Sequence, residues 1–308
     1  MRIIYMGTPD FACAPLRALR DAGHEIQMVF CQPDRPKGRG MKLLAPPVKM
    51  LAQDCGIPVC QPESFRDYAA QPVLERCQPD AIVVAAYGRL LPPYVLRAPK
   101  YGCINVHASL LPKYRGAAPV QYAILNGERE TGVTIMHMAR KLDAGDMILS
   151  GKLEIGEYET AGALTSRLSA LGAQLLCQAL LQLETGAAQR IAQDEALVSY
   201  APMITRADAR LDFHQPVRAV CDRVRAMQPA PGAYAESGGA VFKIPALYDT
   251  GEHCTASPGT VLGLDGQGRM RIACGGGIAA APEIQAPSSR RMPCADYARG
   301  HALPEKFD

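Results

Sequence analysis

Asn105 and His107 stand two positions apart at the end of an apolar run. On a strand they project from one face, one offering an amide donor and the other an imidazole. Asp143, in the segment K-L-D-A-G-D, is distant in sequence but can return beside them. A donor amide, an imidazole and a carboxylate together can polarise an oxygen and move a proton. Their surroundings set them apart: N-V-H-A-S-L-L-P-K-Y-R-G-A-A-P runs on from Asn105, followed by T-G-V-T-I-M-H-M and then the Asp143 segment. His24, His214, His253 and His301 have no such context and read as structural or surface residues.

The elements that must position these residues follow from periodicity. The apolar run 2–6 ends in Gly7-Thr8-Pro9-Asp10, and Phe11, Pro15, Leu16 and Leu19 then fall at helical spacing up to Gly23. Further strands are expected at 26–31, 57–60, 81–86, 102–106 and 133–138, with helical stretches between the earlier ones. Alternating strands and helices imply an α/β, Rossmann-like domain with a mainly parallel sheet covered on both faces. Leucines 164, 168, 171, 175, 176, 180 and 183 recur at spacings of three and four, which predicts one long helix over 160–184 closing that domain. Residues 190–207 lack strong periodicity, apart from a strand-like piece near 197–200, and read as a linker between a first domain, 1–189, and a second, 208–308. After a helix at 216–227, short segments at 241–247, 260–264 and 269–273 are separated by Gly, Pro and Ser, which predicts a small antiparallel β-barrel of OB-like type. The triple glycine at 275–277 reads as a turn in it.

Several functions are excluded. The first turn, G-T-P-D-F, lacks the G-x-G-x-x-G that admits a pyrophosphate, and the chain has no P-loop, no H-E-x-x-H and no G-x-S-x-G. The eleven cysteines include no C-x-x-C pair, so neither a zinc site nor a redox dithiol is expected, and no metal is inferred. With 33 Lys and Arg against 30 Asp and Glu, the formal charge of +3 does not by itself advertise nucleic-acid binding. No signal peptide or apolar span is expected, and a cytoplasmic protein with reduced thiols follows, with no membrane partner.

The Asn, His, S-L-L-P, R-G and later L-D-x-G pattern resembles the folate-dependent formyltransferases. The opening M-G-T-P-D-F, the loop Q-P-D-R-P-K-G-R-G-M-K-L, the segment G-C-I-N-V-H-A-S-L-L-P and L-D-A-G-D are similar to the members that act on methionyl-initiator tRNA, as are Ser199-Tyr200-Ala201 and Ala209-Arg210-Leu211-Asp212. The resemblance is strongest up to about residue 215 and weak in the barrel.

It implies transfer of the formyl group of 10-formyltetrahydrofolate, the co-substrate, to the amine of methionyl-initiator tRNA by acyl transfer, with Asn105, His107 and Asp143 catalytic. Asn105 and His107 suit the oxygen on which charge grows, where one donor is worth about 3 kcal/mol of barrier. Asp143 either holds His107 in a donating form or accepts the amine proton through a water. Ser109, Leu110, Leu111 and Pro112 match the folate-binding segment, and the stretch containing Tyr87, Arg89 and Leu91 resembles the loop lining the pterin, its alternative being a strand end packed into the core. Arg115-Gly116 either stabilises its loop or approaches a ligand.

Arg35, Lys37, Arg39, Lys42 and Lys49 form a basic loop among Gly and Pro able to track phosphates. The resemblance makes Arg39 and Lys42 the acceptor-stem candidates, with Lys37 and Arg35 beside them. The second domain, nearly balanced in charge, contacts tRNA only through local clusters; Arg218, Arg223 and Arg225, and Arg290-Arg291, read as solvated surface. Two departures stand out: Met203 replaces a common lysine, and Gln228-Pro229-Ala230-Pro231 replaces N-P-W-P in a chain without tryptophan. A monomer is expected. The rival readings are a formyltransferase for another amine, such as glycinamide ribonucleotide or an amino sugar, hydrolysis of the formyl folate, and a tRNA-binding module that has lost catalysis.

Overall fold

The computed structural model describes residues 1–37 and 42–308. They divide into two compact units: residues 1–119, 130–154 and 165–201 form the first, and 120–129, 155–164 and 202–308 the second. The stretch read as a linker is therefore split, because residues 190–201 pack within the first unit through backbone pairing that no periodicity announces.

The first unit holds a seven-stranded sheet of β1 (Arg2–Gly7), β2 (Glu25–Phe30), β3 (Val59–Cys60), β4 (Ala81–Ala85), β5 (Cys103–His107), β6 (Glu130–His137) and β7 (Met147–Glu154). Their order across the sheet is β7-β6-β5-β4-β1-β2-β3, with β1 to β5 parallel and β6 antiparallel to both its neighbours. Strands β1 and β4 are apolar without interruption because both faces are covered. Ile3, Ile4, Tyr5 and Met6 are wholly buried, and full burial of such a side chain stabilises by about 1.5–3 kcal/mol. One face carries Ile4, Met6, Phe30, Ile82 and Val84 under Phe65, Leu74, Tyr87, Leu91 and Val95.

Helix α1 (Cys13–Asp21) follows β1, and the long helix spans Ala161–Thr185, α2 in these labels. Along α2, Leu168, Leu176 and Leu180 are fully buried, and Ser169 donates to the Phe11 carbonyl at 2.7 Å. Strand β7 carries no sequence signal of comparable strength: it lies at the sheet edge, and Ser150, Lys152 and Glu154 alternate with less exposed residues.

The second unit is built on antiparallel strands. Val261–Leu264, Met270–Ala273, Gly277–Ala281 and Tyr248–His253 form a four-stranded sheet, beside the pairs Tyr234–Ser237 with Ala240–Lys243 and Glu283–Ile284 with Met292–Pro293. Helix α3 (Val217–Ala226) covers a core of Phe213, Val220, Val224, Met227, Met270, Ile272 and Phe307. Gln228, in the segment that departs from the family pattern, accepts the Gly162 N–H on its carbonyl at 3.0 Å. Met203 is exposed.

Candidate active site

The sheet order reverses between β1 and β4, and crevices for ligands form beyond the carboxyl ends of strands at such a switch. The loops leaving those ends are tied together. Thr8 Oγ1 donates to the Tyr87 carbonyl at 3.2 Å, and Gln32 Nε2 donates to the same carbonyl at 3.1 Å. Arg89 reaches Gln32 Oε1 at 3.1 Å and the Glu63 carbonyl. The side chains of Tyr87 and Leu91 point into the core, so only the backbone of that loop and Arg89 are turned to other uses. The Tyr87 hydroxyl is buried without a hydrogen-bond partner, and burial raises its pKa.

Strand β5 brings Asn105 opposite Val84 and Met136, and His107 opposite Thr134. Both are buried, at 8% and 6% exposure, although both are polar. The Asn105 amide bonds to no other described residue. His107 Nε2 lies 3.0 Å from the Tyr114 carbonyl. A carbonyl only accepts, so Nε2 carries the proton and Nδ1 is left facing Asp143 Oδ2 at 3.8 Å.

Asp143 returns to this point as the sequence anticipates, by means of two backbone features. It adopts a left-handed conformation, φ +46°, which Asp tolerates better than most residues. Gly145 then lies against the His137 carbonyl, where any Cβ would stand 1.8 Å from that oxygen. These explain the spacing of L-D-A-G. Asp143 Oδ2 accepts the Gly116 N–H at 2.9 Å, while Oδ1 has no partner among the described residues. Gly116 itself, at φ +126°, belongs to a short parallel pair in which Arg115-Gly116 lies beside Tyr200-Ala201. A Cβ there would meet the Ala201 carbonyl at 2.6 Å, so R-G is a requirement of the backbone.

The segment from Ser109 to Pro112 is held from β6: Thr134 Oγ1 donates to the Ser109 carbonyl at 2.7 Å and accepts the Leu111 N–H at 3.1 Å. Ser109 Oγ donates to the Lys113 carbonyl at 2.7 Å, which folds the segment on itself. Ser109 and Leu111 are buried, and Leu110 and Pro112 partly so.

Among the basic residues, Arg35 is exposed, on a strand whose residues 35–37 pair with 42–44. Arg39 lies outside the described residues, as do the side chains of Lys37 and Lys42. Lys49 is no free cation: it bonds both oxygens of Asp34, at 2.8 and 2.7 Å, and together with Gln61 holds that carboxyl below its ordinary pKa. The expectation of a solvated Arg218, Arg223 and Arg225 cluster is also corrected. Arg225 is buried against Asp222 at 2.8 Å, Arg218 bonds the same carboxylate, and Arg223 donates to the Asp208 carbonyl. Arg291 is paired with Glu283.

Thr134, Tyr114, Ser199 and Gln193 support the site and were not singled out as individual residues in the sequence. Ser199 accepts the Tyr114 N–H on Oγ and the Arg115 N–H on its carbonyl, each at 2.9 Å; S-Y-A was its only trace. No group of His, Cys, Asp and Glu suited to a metal ion occurs among the described residues, and none of their helices is long and apolar enough to cross a membrane.

Residues 1–180 match the family described as formyl transferase, and 203–302 match the formyl transferase C-terminal domain. The chain belongs to the formyl transferase family. Among relatives in that family, the methionyl-tRNA formyltransferase of Thiobacillus denitrificans is 48% identical, covering 98% of this chain and 97% of that one. The methionyl-tRNA formyltransferase of Pelotomaculum thermopropionicum is 44% identical, covering 99% and 97%. Solved structures share the formyl transferase fold at lower identity. An N-formyltransferase from Helicobacter canadensis, in complex with folinic acid and dTDP-3-aminofucose, has a TM-score of 0.68 at 18% identity, covering 93% of this chain and 99% of that one. HypX from Aquifex aeolicus, in complex with tetrahydrofolic acid, has a TM-score of 0.66 at 20% identity, covering 96% of this chain and 46% of its own.

Proposed function

We infer that the chain transfers the formyl group of 10-formyltetrahydrofolate to the free α-amino group of methionyl-initiator tRNA, acting as a cytoplasmic monomer. The observation that carries this reading is similarity to methionyl-tRNA formyltransferases through both domains, at 48% and 44% identity over nearly the whole chain.

The free polar groups suit the reaction. The neutral amine attacks the formyl carbon, charge grows on oxygen, and the tetrahedral intermediate collapses with departure of the folate nitrogen. Asn105, whose amide bonds to no other described residue, donates to that oxygen. Because the Nε2–H of His107 is committed to Tyr114, Nδ1 and the Asp143 carboxylate face the reacting proton. They take it from the attacking amine, and one proton returns to the leaving nitrogen, so the count balances. Backbone groups of Ser109 to Pro112 and of the loop from Tyr87 to Leu91, with Arg89, receive the folate. Arg35, Lys37, Arg39 and Lys42 track the acceptor stem, and residues 208–308 contribute the remaining tRNA contacts.

The test is transfer of labelled formyl from 10-formyltetrahydrofolate with charged initiator Met-tRNA, elongator Met-tRNA, glycinamide ribonucleotide and water as competing acceptors. Label on initiator Met-tRNA alone is the expected result. Label elsewhere overturns the acceptor, and no transfer overturns the reaction.

A further inference from the structure

Gln193 lies in the aperiodic stretch after the long helix, and all four hydrogen-bonding positions of its side chain are used. Its Nε2 donates to the carbonyls of Asp143 and Gly145, each at 2.8 Å. Its Oε1 accepts from Arg115 Nε at 3.0 Å and Nη2 at 2.8 Å. The amide has only one workable orientation, because carbonyls cannot donate and a guanidinium cannot accept.

Arg115 is wholly buried, and burying a guanidinium is costly unless it is bonded. Its Nη2 also reaches Glu195 Oε1 at 2.9 Å, and Lys141 holds the other oxygen of Glu195 at 2.7 Å. Nη1 has no partner. A hydrophobic residue at 115 would avoid that cost, yet the charge is kept two bonded groups away from Asp143. The next residue, Gly116, holds the Asp143 carboxylate itself. Asp143 is thus held at its carboxylate by Gly116 and at its carbonyl by Gln193, and both restraints trace back to the strand Arg115-Gly116.

We propose that Gln193, clamped by Arg115, is a positioning residue for formyl transfer: it fixes the left-handed backbone of Asp143 and so sets the carboxylate against His107 Nδ1. This rests on the assignment of Asp143 to the reaction. Gln193→Leu keeps most of the volume and removes every bond. Gln193→Glu keeps an acceptor for Arg115 but turns oxygen toward the two carbonyls. A small misplacement of a reacting group can cost up to about 100-fold in rate.

Both variants are assayed for kcat, for KM toward folate and Met-tRNA, and for kcat against pH, alongside Asp143→Asn and the Asp143→Asn/Gln193→Leu double variant. The expected result is a fall of about 10- to 100-fold in kcat with little change in either KM. The pH profile should be displaced, and the double variant should be no slower than Asp143→Asn alone, as for residues acting as one unit. Normal kcat in Gln193→Leu overturns the proposal, as does a loss that multiplies with that of Asp143→Asn or leaves the pH profile in place. If Gln193→Leu does not fold, Gln193→Glu is judged by the same criteria. Near-normal turnover by Asp143→Asn removes the underlying assignment and the proposal with it, whereas an inactive Asp143→Asn beside a normal Gln193→Leu defeats the proposal alone.

Discussion

At the scale of single residues, the informative observation is a polar side chain on a buried strand that is tied to no other described residue. Asn105 is only 8% exposed, yet its amide makes no bond on which the fold depends. Asn105→Ala is therefore expected to melt no lower than the parent while its kcat falls about 100- to 1000-fold, the loss seen when an oxyanion donor is removed. Thermal denaturation and steady-state kinetics on one preparation check this; a large drop in melting temperature with intact kcat would mean the amide is structural. The alternation of Asn105 and His107 was legible because a strand has period two. The role of each His107 nitrogen was not, since it depends on the carbonyl of Tyr114, seven residues along a loop whose path no pattern encodes. Gln193 was equally silent: its four bonds join residues 48 to 78 positions away.

At the scale of elements, strands buried on both faces announced themselves and strands with a wet face did not. The apolar runs of β1 and β4 are readable because almost nothing polar is tolerated there, and in β5 the same burial makes Asn105 and His107 stand out against their neighbours. Edge strand β7 and the small second-unit strand Tyr234–Ser237 mix polar and apolar residues and are recovered only from their pairing. The end of β1 carries a sharper constraint. A Cβ on Gly7 would stand 2.6 Å from Ala12 Cβ, 2.9 Å from the Tyr5 ring and 3.0 Å from the Ala85 carbonyl. The Tyr5 ring cannot yield easily, because it is wholly buried and its hydroxyl donates to the Ala12 carbonyl at 2.6 Å. Gly7→Ala should then lose about 1–3 kcal/mol, the range for overpacking. The denaturant midpoint should move with its slope unchanged, and KM for the folate should rise because Thr8 and Ala86 flank the strain. An unchanged midpoint would show that the turn relaxes freely.

At the scale of the whole molecule, the change of texture near residue 207 was visible in the sequence, but which residues complete the second unit was not. That unit also takes in 120–129 and 155–164, which the sequence reading places in the first domain, the second of them running into the long helix. Leu125 packs against its core, and Arg225 Nη1 donates to the carbonyls of Gly156 at 3.3 Å and Glu159 at 3.1 Å. A fragment starting at Pro202 keeps the Asp222–Arg225 pair but loses those acceptors and the leucine. Water can replace the acceptors, whereas the lost apolar contact costs on the order of 1 kcal/mol. Amide hydrogen exchange in Val217–Ala226 should consequently be faster in the 202–308 fragment than at the same amides of the full chain. Equal protection in the two would mean that the strands and helix after Pro202 carry the stability of the unit alone, and that the two inserted segments are held by it without contributing to it.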